Sequence, residues 1–212
     1  MKLAQFLALM SRMLGAEEKT IRMIVRYLRE AGLFTTGARG VNAPDITALD
    51  AARVFIAYMA SQSPSKAVKD VLFFGALKPD IRASHTDFTS ELGLNPNQPF
   101  ERLIADILEN KIGYTKLSYM GSIRLSESGD AWLECEYISQ EFHHREQWMK
   151  MCDAIANRDT DEGKQRRLQG KTALDEMEAI QRSSSTKVQR SAEYDIGDLL
   201  EIGHELLGWE VE

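Results

Sequence analysis

The stretch KTIRMIVRYLREAGLFTTGARG, from Lys19 to Gly40, decides the N-terminal fold. Four aliphatic residues in its first half recur at the helical period and form one stripe: Ile21, Ile24, Val25 and Leu28. Four cations recur on the opposite face: Lys19, Arg22, Arg26 and Arg29. The stretch therefore predicts a helix with one apolar face and one basic face, followed by a glycine-containing loop.

The residues before this helix complete a helix-turn-helix pattern. LAQFLALMSRML carries apolar residues at helical spacing, and Gly15 supplies a stop signal. In a helix-turn-helix, a supporting helix and a tight turn place the second helix in the major groove. We therefore predict that Ala8 to Leu14 ends the supporting helix and that Glu17 to Arg29 forms the reading helix.

The loop FTTGARGVNAPDI, after the reading helix, has the composition of a wing that lies along the DNA backbone or in the minor groove. Gly37 and Gly40 permit positive φ and close approach, and Arg39 between them is the expected contacting cation. The alternative is that the basic helix face is simply solvated, which is common for amphipathic helices.

At these residues the chain resembles the winged helix-turn-helix superfamily, and LGAEEKTIRMIVRYLREAGL is similar to the turn and reading helix of MerR-like regulators. DITALDAARVFIAYM resembles the helix that follows their wing. The resemblance covers about the first third of the chain, and the chain lacks the long dimerising coiled coil of MerR proteins. The resemblance implies that five residues contact double-stranded DNA: Lys19, Thr20, Arg22 and Arg26 in the reading helix, and Arg39 in the wing. Arg29 joins them because it lies on the same predicted face.

The rest of the chain predicts a mainly α fold with a small α+β part. PFERLIADILEN indicates a helix, and the alternating runs that contain SIRLS and AWLECEYIS predict a β-hairpin in which Ile123 and Leu125 lie on the same side as Leu133, Cys135 and Tyr137. We predict three parts: a winged helix-turn-helix over residues 1–77, an α+β oligomerisation or effector domain over 78–156, and a polar linker with an acidic tail over 157–212.

Helix start signals occur twice between the loop and the second part. Thr47 is the expected cap of the helix in ITALDAARVFIAYMASQ, with Asp50 at its third position. Ser63 is the expected cap of the next helix, with Pro64 at the first helical position.

The charge of −6 is unevenly distributed along the chain. From Met1 to Arg82 there are 12 Lys and Arg against 7 Asp and Glu, and the remainder has 14 against 25. Such asymmetry is expected when one part contacts DNA and the rest does not. The acidic C-terminal segment carries six large apolar residues, so we expect it to dock on its own second domain, a neighbouring subunit or a partner protein: Ile196, Leu199, Leu200, Leu206, Leu207 and Trp209.

Motifs of catalysis are lacking in the sequence. His143 and His144 with Cys135 and Cys152 lack the short ligand spacing of zinc sites, and no Walker loop, GxGxxG or GxSxG occurs. We expect a non-enzyme without metal or cofactor. The two cysteines suit a reducing compartment, and the lack of a long apolar run predicts a cytoplasmic protein without a membrane span.

Three functions follow from the sequence as expectations. The first is a sequence-specific bacterial or phage transcriptional regulator that binds double-stranded DNA as a homodimer or higher homo-oligomer. The second is a phage small terminase subunit, which the chain resembles only in its overall plan of helix-turn-helix, oligomerising region and C-terminal recruiting segment. The third is an adaptor that binds another protein, in part through residues 194–212, without binding DNA.

Overall fold

A computed structural model describes residues 1–37, 44–61, 63–80, 95, 97–112, 121–126, 129–135, 138–144, 146, 149–150, 153, 161–184 and 192–209. This part of the chain is mainly helical with a small antiparallel sheet, as the sequence predicts. Its helices are α1 (Leu3–Met13), α2 (Glu18–Glu30), α3 (Ala48–Ala60), α4 (Ala67–Gly75), α5 (Phe100–Leu108), α6 (Asp161–Ser184) and α7 (Ile196–Leu207). Its strands are β1 (Lys78–Pro79), β2 (Ser122–Leu125), β3 (Ala131–Cys135), β4 (Ile138–His143) and β5 (Ala192–Asp195).

Two glycines end the first two helices. Gly15 and Gly32 have φ of 60° and 71°, the left-handed conformation that glycine adopts without a steric penalty. After α2, the Leu33 amide donates to the Leu28 carbonyl at 2.8 Å, which satisfies one of the free carbonyls at the helix end. The predicted apolar stripe of α2 is confirmed, since its members are at most 3% exposed: Ile21, Ile24, Val25 and Leu28.

The two predicted helix starts have different outcomes. Thr47 caps α3 as predicted, because its hydroxyl accepts from the Asp50 amide at 3.1 Å and the Asp50 carboxylate reaches back to the Thr47 amide. Ser63 occupies the predicted N-cap position and Pro64 the first helical position, but the Ser63 side chain makes no capping hydrogen bond. Its hydroxyl instead lies 3.0 Å from that of Ser65, and Pro64 begins a 3-10 turn that precedes α4.

The predicted hairpin is confirmed and forms the centre of a larger sheet. β2 and β3 are antiparallel, with Ile123 opposite Leu133 and Leu125 opposite Ala131. The strand order is β1-β4-β3-β2-β5, so the sheet recruits one strand from before the hairpin and one from near the C-terminus. The sequence does not predict that β1 and β5 join this sheet, because no short turn connects either strand to its neighbour.

One hydrophobic cluster extends across both of the predicted boundaries, at 77/78 and 156/157. It contains Phe55 of α3, Leu103 of α5, Leu133 of β3 and Leu199 of α7, each at most 1% exposed. Within the polar stretch from 157 to 190, for which the sequence allowed a solvated helix or disorder, α6 forms a helix with Leu168 69% exposed. The three predicted parts therefore share one core.

The C-terminal segment is part of this core, so the expectation that it docks is confirmed and the docking is on its own chain, as a core helix and not as a tail. Five residues of α7 are at most 5% exposed: Ile196, Leu199, Leu200, Ile202 and Leu206. The Tyr194 hydroxyl donates to the Met13 carbonyl at 2.9 Å, and Trp209 Nε1 donates to the Leu108 carbonyl at 2.8 Å. The apolar face of residues 194–209 is thus used within the chain, and this described segment presents its acidic face to the expected protein partner.

The contact between α7 and α5 requires a glycine. A Cβ on Gly203 would lie 2.2 Å from the carbonyl oxygen of Leu108 and 2.9 Å from its Cα. Both atoms belong to backbone, so neither can move aside without shifting a helix. The absence of a side chain at this position therefore sets the distance between the two helices.

We predict that Gly203→Ala strongly destabilises the protein, because the added methyl group overpacks the α5–α7 contact. The expected loss is about 2–4 kcal/mol of unfolding free energy, measured by urea denaturation. Leu207→Ala is the matched control, since Leu207 is on the same helix and 41% exposed; we expect it to cost less than about 1 kcal/mol. Equal stability of Gly203→Ala and wild type would contradict this description of the interface.

A buried carboxylate lies between α3 and α4. Asp70 is 1% exposed, and its Oδ2 accepts from the Ser61 hydroxyl at 2.6 Å, whereas Oδ1 has no hydrogen-bond partner among the described residues. Burial raises the pKa of Asp70 to about 6, although the Ser61 hydrogen bond and the charges of Lys66 and Lys69 oppose that rise. Above that pH the folded protein keeps an ionised carboxylate in an apolar site, which costs stability.

Asp70→Asn should therefore stabilise the protein at neutral pH. Because the folded pKa is higher than the unfolded one, the folded state binds more protons between pH 3.8 and about 6, and stability falls as pH rises through this window. We expect Asp70→Asn to be about 1–2 kcal/mol more stable than wild type at pH 7.5 and equally stable near pH 4. Urea denaturation at both pH values measures this, with the exposed Asp175→Asn on α6 as the control. An advantage that persists at pH 4 would contradict the electrostatic cause.

Candidate nucleic-acid interface

The first two helices are joined by a short turn and pack against each other. The turn spans residues 14–17. Two hydrogen bonds join Ser11 of α1 to the turn: the Ser11 hydroxyl donates to the Ala16 carbonyl at 2.6 Å, and the Ala16 amide donates to the Ser11 carbonyl at 3.0 Å. The buried stripe of α2 also faces the 3-10 turn, α3 and α4. The contacts of the buried face therefore fix the orientation of α2, and its outer face remains exposed.

Three of the predicted cations lie on the outer face of α2. Lys19 is exposed, and the side chains of Arg22 and Arg26 are 64% and 66% exposed. Thr20 is half-buried, and the N-cap position of α2 belongs to Glu17. Its amide donates to the Glu17 carbonyl at 2.8 Å, as expected for a residue in the first helical turn.

Two of these cations are paired with acids on their own helix. Arg22 forms an ion pair with Glu18, and Arg26 Nε lies 2.8 Å from Glu30 Oε1. The hydrogen bond and charge of Glu30 raise the pKa of Arg26 above its usual value. Sequence reasoning missed these acids, although their spacing of four residues is the signal for such pairs. Exposed pairs of this kind are weak, so a phosphate group can compete for either arginine.

Arg29 has a different environment from the other three cations. It is half-buried, and its guanidinium lies 5.3 Å from the centre of the Phe34 ring. Its Nε atom is buried and lacks a hydrogen-bond partner in the described part of the chain. Arg29 therefore does not lie fully on the exposed face, which corrects the prediction that all four cations project together.

The predicted wing lies largely outside the described residues, and Arg39 and Gly40 are among those outside. Gly37 is described, and its φ is not positive, which corrects the expected reason for a glycine there. Close approach is the reason, since a Cβ on Gly37 would lie 2.8 Å from the Pro44 ring. Residues 33–37 and 44–47, which flank the loop, contain no strand.

Both stems of this loop are fixed by one residue of α3. Asp50 is 3% exposed and accepts from the amide and hydroxyl of Thr35, each at 2.7 Å. It also accepts from the amide and hydroxyl of Thr47, at 2.9 and 2.7 Å. One turn later, Arg53 donates to the Leu33 carbonyl at 3.1 Å and pairs with Glu101 of α5. The exit of α2 is therefore anchored to α3 and α5, an arrangement for which the sequence gives only the Thr47 and Asp50 signal.

Of the side chains considered for chemistry, His143 and Cys135 are buried and His144 is half-buried. His143 Nδ1 lies 2.7 Å from Asp130 and its Nε2 lies 3.2 Å from Glu141. Burial lowers the pKa of His143, but the two carboxylates outweigh burial and raise it above 6.5. Burial lowers the pKa of His144, which packs on Phe73, and raises that of the Cys135 thiol to about 11.

The thiol of Cys135 is therefore protonated at neutral pH and a poor nucleophile. Among the described residues, no three His, Cys, Asp or Glu side chains are grouped so that they could hold a metal ion. Cys152 lies outside the described residues.

The chain matches no protein-family model, and it has no significant match among curated proteins or solved structures. Within the described ranges, no helix combines the length and the apolar content needed to span a membrane. The candidate interface therefore rests on the residues and geometry of α1 and α2 alone.

Proposed function

We propose that the protein binds double-stranded DNA sequence-specifically through α1 and α2 and acts as a bacterial or phage transcriptional regulator. The observation that carries the proposal is the outer face of α2, the second of two consecutive packed helices, where Lys19, Arg22 and Arg26 are exposed. Guanidinium groups on such a helix contact phosphates and the O6 and N7 atoms of guanine.

The charge of α2 makes sequence-specific contacts more important than nonspecific attraction. From Glu17 to Glu30 there are four cations and three acids, so the net charge of this segment is only +1. A purely electrostatic DNA-binding surface would carry a larger excess of cations. Binding through this face therefore requires base contacts.

One reading helix covers few base pairs, so a single copy would bind DNA weakly. Two copies on half-sites about 34 Å apart would bind more tightly, so we include a homodimer in the proposal.

The proposal favours regulation over genome packaging because of the C-terminal segment. A small terminase subunit with this plan would need a free C-terminal segment to recruit the motor subunit, but the apolar face of α7 is buried in the core of its own chain. The adaptor alternative differs in its prediction, since it requires no DNA binding at all.

Selection of bound sequences from a random DNA pool with the full-length protein tests the proposal. Enrichment of a defined site supports it, and recovery of an unenriched pool would overturn it.

Replacing either Arg22 or Arg26 by Ala should weaken binding to the selected site by about 1–3 kcal/mol, because each change removes a contact to a base or phosphate. Fluorescence anisotropy at fixed salt measures the affinity. Thermal unfolding should be nearly unchanged, since both side chains are exposed. Lys164→Ala on α6 is the control, because it removes an exposed cation that also has an acidic partner on its own helix. Unchanged affinity in both arginine variants would remove α2 from the interface.

Neutralising the acids beside these arginines should have the opposite effect. We expect Glu18→Gln and Glu30→Gln each to raise DNA affinity by about two- to fivefold at low salt. In each variant the arginine no longer has to break an ion pair before it contacts a phosphate. The gain should shrink as salt screens the interaction. Glu162→Gln, an exposed acid on α6, changes the net charge equally and should have little effect. An equal gain in all three variants would indicate a nonspecific charge effect.

A further inference from the structure

A groove of about 400 Å³ opens between the N-terminal half of α1 and the C-terminal half of α2. Small-molecule sites have volumes of roughly 300–1,000 Å³, so this groove is at the lower end of that range. Its apolar lining consists of Leu3 and Leu7 from α1 and Val25 from α2. Leu7 and Val25 are buried core residues, whereas Leu3 is partly exposed. The floor of the groove is therefore rigid and hydrocarbon in character.

The rest of the lining comes from three arginines and one acid of α2. Arg22, Arg26 and Arg29 contribute three guanidinium groups, and Glu30 is the single acid. Glu30 lies 2.8 Å from Arg26 Nε and so neutralises one of the three. Glu18, outside the groove, pairs with Arg22. No ion pair involves Arg29 in the described part of the chain, and its buried Nε lacks a hydrogen-bond partner there.

A buried donor without a partner costs stability, since it has lost its hydrogen bond to water. Arg29 lies over the Phe34 ring, and Nε is its one donor that is both buried and without a partner among the described residues. The charge of the guanidinium, which has no acidic partner there, would attract an anionic oxygen to this end of the groove. The arginines of the lining thus favour an anionic group, and the apolar floor favours a hydrocarbon chain.

We propose that this groove binds an amphiphilic carboxylate, with the alkyl chain on Leu3, Leu7 and Val25 and the carboxylate on Arg29. Guanidinium and carboxylate match in geometry, because two parallel N–H donors face two oxygens. Bound ligand also contacts the arginines of the proposed DNA-binding face. Ligand and DNA therefore exclude each other, and this consequence alone rests on the proposed function.

Isothermal titration calorimetry of the full-length protein with octanoate tests the site. Acetate has the charge without the chain, and 1-octanol has the chain without the charge, so we expect only octanoate to give saturable binding. Arg29→Gln should weaken octanoate binding by about tenfold or more, as expected for loss of a hydrogen bond to a charged group. Lys19→Gln is the matched control, because it removes an exposed cation of the same helix outside the groove, and it should change the affinity less than twofold.

A second variant keeps the test valid if Arg29→Gln fails to fold. Leu3→Ser changes a partly exposed groove residue and should weaken octanoate binding by roughly threefold or more, because it shortens the apolar floor. Leu3 lies outside the proposed DNA contacts, so its DNA affinity should equal that of wild type. In the wild type, octanoate should displace a bound DNA site, and in Leu3→Ser the displacement should require correspondingly more octanoate.

Three results would overturn the groove proposal: no saturable binding of octanoate, binding of acetate as tight as that of octanoate, or equal losses in Lys19→Gln and Arg29→Gln. Each is measured without DNA. Octanoate binding to a protein that binds no DNA would leave the groove intact and overturn the proposed function. DNA binding without octanoate binding would do the reverse.

Discussion

The buried carboxylate of Asp50 connects the end of α2 to the start of α3. It lies at the start of α3 and accepts four hydrogen bonds, two from Thr35 after α2 and two from Thr47 before α3. A charged group at 3% exposure is stable only when its oxygens are satisfied, and hydrogen bonds to charged groups contribute roughly 1.5–3 kcal/mol each. The chain on either side of residues 36–46 must therefore return to the same point, and the orientation of α2 relative to α3 follows from that constraint.

The second constraint is the closure of the core by the C-terminal segment. β5 adds to the edge of the sheet beside β2, and α7 then packs across α5, α1 and α3. The close approach at Gly203 and the Trp209 bond to the Leu108 carbonyl fix α7 on α5. Arg12 of α1 pairs with Glu205 of α7, so an acid of the C-terminal helix lies beside a cation of the first helix. The basic first third and the acidic remainder of the chain meet within one fold because their apolar faces share a core.

These contacts leave α2 with an outer face of mixed charge. Glu18 and Glu30 compete with any anionic partner for Arg22 and Arg26, whereas Arg29 has Phe34 as its neighbour and no acid among the described residues. The proposed DNA contacts and the proposed carboxylate site draw on the same guanidinium groups. Both proposals draw on the cations of α2, which number four against three acids from Glu17 to Glu30.

The sequence by itself determined the elements whose signals are local. The periodicity of α2, the glycines after α1 and α2, the Thr47 capping box and the β2–β3 hairpin all depend on residues within a few positions of one another, and each is confirmed. For the candidate site, the exposure of Lys19, Arg22 and Arg26 was predictable because they lie opposite the apolar stripe. The tertiary structure alone decided the partial burial of Arg29, the fixing of the loop stems by Asp50, and the use of α7 as core. These features depend on contacts such as that between Gly203 and Leu108, which are distant in sequence and are brought together only when the whole chain packs.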